Sequence, residues 1–263
     1  MELILAKTAG FCFGVKRAVD CVYKEAEAGK IYTFGPIIHN KTVTEALEKK
    51  GVRAIDNFEN ITDGKIILRS HGVSPKIYQT LTEKGLRFTD CTCPYVKKIH
   101  QIVAAEAAAG NKIIIIGNVS HPEIQGIRGW AGDNAIIFGS AKEVDDFPLD
   151  LSYNYSVVVQ TTFQREYFNA IIDRITAKGV HFHVFNTICA ATAQRQDEAE
   201  RLSKIVDKMI VIGDKSSSNA KQLYEICSRN CNKTFFIETN LDLQLNIFST
   251  NDKIGITAGA STP

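Results

Sequence analysis

Cys12 in "GFCFG", Cys93 in "CTCP" and Cys189 in "TICA" stand at matching places in the chain. From Cys12 to His39 is 27 residues, from Cys93 to His121 is 28, and from Cys189 to Ser217 is 28. Thiolates are soft metal ligands, and none of these three belongs to a CxxC pair. A shared site would therefore draw one thiol from each of three distant segments. Zinc, an iron–sulfur cluster and no metal at all are the alternatives. Structural zinc usually recruits close cysteine pairs. A [4Fe–4S] cluster is a larger object, and three cysteines around four irons leave one iron open to substrate. Cys91 competes with Cys93, but it would change the second spacing from 28 to 30. Cys21, Cys227 and Cys231 read as buried or incidental thiols in helical segments, since a free cysteine behaves mostly as a small hydrophobe.

Polar groups follow the same repeat. His39 and Asn40, then Ser70-His71-Gly72, come from the first segment. His121-Pro122-Glu123 and Gln160-Thr161-Thr162 come from the second, and Ser217-Ser218-Asn219 and Ser261 from the third. Hydroxyls, imidazoles and helix N-termini suit a phosphate or diphosphate. One helix cap needs one serine, and "SSSN" exceeds that need. Glu123 is the carboxylate to watch. Near a metal-bound substrate it could deliver protons, whereas the plainer reading is a first-turn acid favoured by the helix dipole. His100, His181 and His183 fall outside the repeat and read as surface or packing residues.

The elements that must position these residues recur three times. "AVDCVYKEAEAG" (18–29), "YVKKIHQIVAAEAAAG" (95–110) and "AQRQDEAERLSKIV" (193–206) read as helices. Each precedes a strand that begins with Lys and ends at Gly: "KIYTFG", "KIIIIG" and "KMIVIG". Later strands in each segment are expected in "KIILRSHGVS", "YSVVVQTTF" and "KIGITAGAS". Such alternation predicts an α/β fold with parallel strands. We expect three α/β lobes, 1–92, 93–187 and 188–263, related by pseudo-threefold symmetry. Loops after parallel strands lie at the carboxyl edge of the sheet, where ligands bind. Three such edges facing one axis would bring the three thiols together.

Composition narrows the class. Of 263 residues 44% are hydrophobic, and 31 basic against 29 acidic residues leave a net charge of +2. There is no polybasic field, which argues against nucleic acid as a partner. No apolar run approaches the ~20 residues of a membrane helix, and the N-terminus lacks the layout of a signal peptide. Seven cysteines in that setting point to a reducing cytoplasm.

Taken together, these stretches resemble the 4-hydroxy-3-methylbut-2-enyl diphosphate reductase family of the non-mevalonate isoprenoid pathway. "GFCFGVKRAV", "GPIIHN", "SHGVS", "DCTCPYVKKIH", "GNVSHPEIQG", "QTTF", "NTICAATAQRQ", "DKSSSNAKQL" and "TAGASTP" carry the resemblance in order over residues 10–263. It implies a trefoil of three α/β lobes around a [4Fe–4S] cluster on Cys12, Cys93 and Cys189. His39, His71, His121, Ser217, Ser218, Asn219 and Ser261 would hold the substrate diphosphate. Glu123 and Thr161, with His121 beside them, would serve the substrate hydroxyl and proton delivery. The implied reaction is reductive dehydroxylation at the open iron, with two electrons and two protons per turnover. It yields isopentenyl and dimethylallyl diphosphate. An electron donor such as ferredoxin or flavodoxin is implied as partner. Members of the family continue for one more helix beyond the point where "ASTP" stands here. Two other classes stay open on the residues alone: a non-redox metal-dependent hydro-lyase and a structural three-cysteine metal protein.

Overall fold

The computed structural model describes residues 1–263. Strand β1 (Glu2–Leu5) comes first. Next in the chain are β2 (Ile31–Phe34), β3 (Arg53–Ile55), β4 (Lys65–Leu68) and β5 (Phe88–Asp90). Then come β6 (Lys112–Ile116), β7 (Ala135–Phe138), β8 (Asn154–Val159) and β9 (His181–Val184). The last three strands are β10 (Lys208–Ile212), β11 (Thr234–Ile237) and β12 (Lys253–Ala258). The helices are α1 (Phe13–Ala28), α2 (Lys41–Glu48), α3 (Pro75–Glu83), α4 (Pro94–Ala108) and α5 (Pro122–Ala131). They continue as α6 (Ala141–Asp146), α7 (Arg165–Ala177), α8 (Ala190–Ser203) and α9 (Ser218–Asn230).

The strands form three four-stranded sheets, ordered β3-β2-β4-β5, β7-β6-β8-β9 and β11-β10-β12-β1. Every pairing is parallel. The three orders are one pattern used three times, as the repeat in the sequence requires. The fourth place in the third sheet, however, is taken by β1 from the other end of the chain, in register Glu2 to Lys253 through Leu5 to Ile256. Residues 1–92 thus supply strands to two sheets. By compactness the chain falls into two units: Met1–Lys16 with Ile38–Ala46 and Cys189–Pro263, and Arg17–Ile37 with Leu47–Ile188. The first holds the β1-containing sheet and the second holds the other two.

Parallel strands covered on both faces read as unbroken apolar runs, and β6 "KIIII" and β8 "NYSVVV" do so. Ile114, Ile116, Val157 and Val159 pack on one side with Phe168, Ile171 and Ile175 of α7. Ile113, Ile115 and Val158 pack on the other with Ile99 and Val103 of α4 and Ile124 and Ile127 of α5. In the third sheet Met209 and Val211 meet Ala199, Leu202, Leu223 and Cys227. Cys227 and Cys231 are buried in that unit, in keeping with their reading as hydrophobes. No helix is long and apolar enough to cross a membrane.

The helices begin earlier than their amphipathic patterns indicate. α8 starts at Ala190 instead of 193, because "AATA" is helix-favouring but carries no amphipathic contrast. Likewise α1 starts at Phe13, directly after Cys12. The strands stop before the polar residues, so "SHGVS", "QTTF" and "GAS" are loops at the carboxyl ends of β4, β8 and β12.

Burial on both faces of β6 sets an expectation for chemical denaturation. Ile114→Ala and Ile115→Ala, although on opposite faces, should each cost about 2–5 kcal/mol. Leu3→Ala on β1, where the side chain is 61% exposed, should stay within ~0.5 kcal/mol. A cost confined to one of the two isoleucines would contradict the two-sided core.

Candidate active site

Each of the three cysteines follows the fourth strand of a sheet and opens a helix. Cys93 and Cys189 are the N-cap residues of α4 and α8, and Cys12 immediately precedes α1. All three are half-buried, as is Cys21, whereas Cys91, Cys227 and Cys231 are buried; none of the seven is in a disulfide. Burial pushes the Cys91 thiol well above its ordinary range, and contact with Cys21 adds to this. A thiol so hard to ionise is a poor ligand, which supports Cys93 over Cys91.

In the larger unit the Cys93 amide donates to the Ser70 carbonyl at 2.9 Å. That bond ties the cysteine to the "SHGVS" loop. Gly72 in this loop has φ of 76°, and a Cβ there would lie 2.5 Å from Cε1 of His100. His100 is a packing residue: it stacks on Trp130 with centroids 5.3 Å apart, and burial lowers its pKa to about 4. Trp130 Nε1 donates to the Val73 carbonyl at 3.0 Å, bracing the loop from α5. His71 therefore sits on a held turn, its ring 5.4 Å from that of His121 and nearly perpendicular to it.

His121 is the N-cap of α5, and its Nδ1 accepts the Glu123 amide at 3.2 Å. An imidazole that accepts at Nδ1 carries its hydrogen on Nε2 when neutral. Glu123 is 2% exposed. Its Oε1 accepts the Thr161 amide and its Oε2 accepts the Thr161 hydroxyl, both at 2.6 Å. Burial raises the Glu123 pKa from the ordinary 4.5 to about 7, against the opposing pull of the two Thr161 bonds. Gln160, next in line, accepts the Asn118 amide through Oε1 at 3.1 Å and fixes the β6 and β8 loops to each other. Cys93, Ser70-His71, His121, Glu123 and Thr161 thus lie along one linked edge.

The smaller unit carries the other polar set. The Cys12 amide donates to the Ala260 carbonyl at 3.1 Å, and the Ala260 amide donates to Asn219 Oδ1 at 2.9 Å. Asn219 is 3% exposed, and its Nδ2 has no partner. A buried donor left open marks a place for an acceptor. Ser217 caps α9 by accepting the Ala220 amide at 3.3 Å. The Ser261 hydroxyl lies 3.2 Å from the Ser217 hydroxyl and donates to the His39 carbonyl at 2.9 Å. One serine of "SSSN" therefore caps, and Ser218 is left half-buried at the first turn. Asn40 also proves to be a cap, accepting the Val43 amide at 3.1 Å.

Asp214 holds the same loops together by accepting the Lys41 amide at 2.7 Å and the Ser216 amide at 2.7 Å. Its burial opposes ionisation, yet the Ser216 hydroxyl, which also donates to it at 2.5 Å, those two amide bonds and the field of His39 keep its pKa below the usual range. Its pKa is shifted in the opposite direction from that of Glu123. The sequence reading left out Arg195 and Arg17. Arg195 reaches the Gly10 carbonyl at 2.7 Å. Arg17 reaches the Thr92 carbonyl at 3.0 Å. Only their place in the helices that follow Cys189 and Cys12 could have pointed to them.

A family model described as LytB protein matches residues 3–263. A 4-hydroxy-3-methylbut-2-enyl diphosphate reductase of Thermoanaerobacter sp. (strain X514) is 46% identical over 270 residues, covering 100% of this chain and 93% of that protein. The protein of the same name from Clostridioides difficile (strain 630) is 42% identical over 266 residues, covering 100% and 95%. Among solved structures, the E-1-hydroxy-2-methyl-but-2-enyl-4-diphosphate reductase of Plasmodium falciparum matches with a TM-score of 0.94 at 34% identity, over 100% of this chain and 84% of that one. A second structure, of (E)-4-hydroxy-3-methyl-but-2-enyl diphosphate reductase, the terminal enzyme of the non-mevalonate pathway, matches with a TM-score of 0.73 at 37% identity, over 100% and 95%.

The raised Glu123 pKa makes a stability prediction. Between about pH 4.5 and pH 7 the folded chain keeps a proton on Glu123 that the unfolded chain has lost. Stability should fall as pH rises through that window and level off above it. A shift from 4.5 to about 7 corresponds to a total loss of about 3 kcal/mol. The difference between the pH–stability curves of the parent and Glu123→Gln isolates this contribution. A flat difference curve would show that the carboxyl is not proton-retaining.

Proposed function

The chain belongs to the LytB protein family, which it matches from residue 3 to residue 263, and on that premise we propose that it reduces 4-hydroxy-3-methylbut-2-enyl diphosphate. Two electrons and two protons enter, the C–OH bond breaks, the hydroxyl leaves as water, and isopentenyl and dimethylallyl diphosphate are formed. The observation that carries the reading is Glu123, a fully buried carboxyl with a pKa of about 7 clasped by Thr161. A reductive dehydroxylation needs a proton source of that kind next to the departing oxygen.

The residues present fit the group the family implies. Cys12 and Cys189 are half-buried and share the field of a buried guanidinium, that of Arg195. Such a setting suits an anionic metal–sulfur group. Cys93 is the third ligand of the proposal. A [4Fe–4S] cluster bound there would relay the two electrons from the donor one at a time, which no side chain can do, and would offer a Lewis-acid iron.

The chain's own residues do the rest. Asn219 offers its open Nδ2 donor to the diphosphate, with Ser217, Ser218 and Ser261 beside it in the same unit and His39 on the adjoining loop. His71 and His121 contribute imidazole donors from the larger unit, His121 through Nε2–H. Thr161 donates its hydroxyl hydrogen to Glu123, which leaves its oxygen lone pairs to receive the substrate hydroxyl. Glu123 gives up its proton, and the carboxylate left behind is stabilised by the same two Thr161 donors. The burial that raises its pKa also keeps bulk water from competing for that proton. The compartment, cytoplasmic, and the electron donor, a ferredoxin or flavodoxin, belong to the same proposal.

Glu123→Gln preserves size and removes the titrating proton. Turnover should fall ~10²-fold or more, while iron content and inorganic diphosphate affinity stay at parent levels. Near-parental turnover would remove Glu123 from the chemistry. Single Ser replacements of Cys12, Cys93 or Cys189 should lower iron and sulfide content, because the hydroxyl is a hard ligand that iron–sulfur clusters disfavour. The same change at Cys21, Cys227 or Cys231 should leave both intact. A cluster lost with Cys91→Ser but kept with Cys93→Ser would shift the second ligand by two positions.

A further inference from the structure

Arg195 stands on α8 six residues after Cys189 and is only 5% exposed. Its Nη2 donates to the Gly10 carbonyl at 2.7 Å, two residues before Cys12. Its Nη1 donates to the Ala191 carbonyl at 3.1 Å, two residues after Cys189. A guanidinium is a rigid planar fork, so this one spans the turns that carry both cysteines. Gly10 adopts φ of 96°, a conformation that favours glycine and sets how the chain enters Cys12.

The charge on Arg195 has a purpose that its two bonds do not explain. Both acceptors are neutral carbonyls, and Nε has no partner. A buried cation needs a counter-charge. Glu198 supplies part of it, but its carboxylate already accepts the Lys7 amide and the amide and hydroxyl of Thr8. The fields that favour the charged guanidinium against its burial come from Cys12 first, then Cys189, then Glu198. The sulfur side is where the remaining negative charge belongs.

The device occurs twice. Arg17, on the helix that opens after Cys12, donates from Nη1 to the carbonyls of Thr92 at 3.0 Å and Cys91 at 3.5 Å, and from Nη2 to that of Asp90 at 3.5 Å. Those residues lead directly into Cys93. In each case an arginine on a helix that follows one ligand cysteine grips the backbone leading into another.

We propose that Arg195 is a positioning residue for an anionic cluster: it fixes the turns bearing Cys12 and Cys189 and sets a permanent positive charge beside them, which raises the reduction potential of the group they hold. Net charge and hydrogen bonding near a cluster set its potential, and an added cation favours the more negative, reduced state. The inference rests on the reading that these cysteines hold a [4Fe–4S] cluster.

The test compares the reconstituted parent with Arg195→Gln and Arg195→Lys by redox titration of the cluster spectrum and by amide exchange at residues 10–12 and 189–191. Arg195→Gln should titrate at a more negative potential and exchange faster at both turns. Arg195→Lys, which keeps the charge without the fork, should recover most of the potential but not the slow exchange. Arg17→Gln serves as a control, quickening exchange at residues 90–93 while leaving 10–12 unchanged. A parental potential or parental exchange in Arg195→Gln overturns the proposal, and so does an Arg195→Lys potential no better than that of the Gln variant. Failure of the underlying reading is seen separately, as a parent chain that binds no iron. Exchange at the two turns in the iron-free chain then still decides whether Arg195 fixes them.

Discussion

Parallel pairing is the constraint on which the rest depends. When every strand of a sheet runs the same way, all strand ends and all the following helix starts gather on one edge. Each sheet here spends its fourth strand on delivering the chain to a cysteine that opens a helix: β5 to Cys93, β9 to Cys189 and β1 to Cys12. The loops after the neighbouring strands carry histidines, hydroxyls and amides to the same edge. Within each sheet, thiol and polar donors are thus neighbours by topology, before any side chain is placed.

Burial then sorts the ionisable groups into roles. Glu123 and Asp214 are both carboxylates at strand ends that accept backbone amides. The first is enclosed with two donors from a single residue, and desolvation wins, raising its pKa to about 7. The second takes donors from Lys41 and Ser216 with His39 nearby, and it stays ionised. His100 is buried against Trp130 and held neutral, so it shapes the "SHGVS" loop without competing for anions. Two carboxylates in two environments thus titrate in opposite directions from their ordinary values.

Much of this is legible in the residues themselves. Equal cysteine spacing reports a repeating strand–helix unit, and the strand runs "KIIII" and "KMIVI" report sheets buried on both faces. The departures have physical causes. β1 lies some 250 residues from β12 in the chain, and short-range pattern carries no information about such a pairing. The first turns of α1 and α8 are made of small or apolar residues, so amphipathic contrast starts only later. Ser217 and Asn40 turn out to double as caps, which composition cannot separate from ligand binding. The two arginines escape notice because the carbonyls of Gly10 and Thr92 that they reach lie far away in sequence, and a carbonyl has no residue type to read.

The claim at the centre of this account is that the chain performs a reductive dehydroxylation that depends on bound iron and sulfide. The most direct measurement is anaerobic conversion of 4-hydroxy-3-methylbut-2-enyl diphosphate by the iron- and sulfide-reconstituted chain, started by adding a chemical reductant. The account predicts that isopentenyl and dimethylallyl diphosphate appear only after the reductant is added, at a rate proportional to bound iron. Loss of the hydroxyl without reductant, or equal conversion by the iron-free chain, would contradict it.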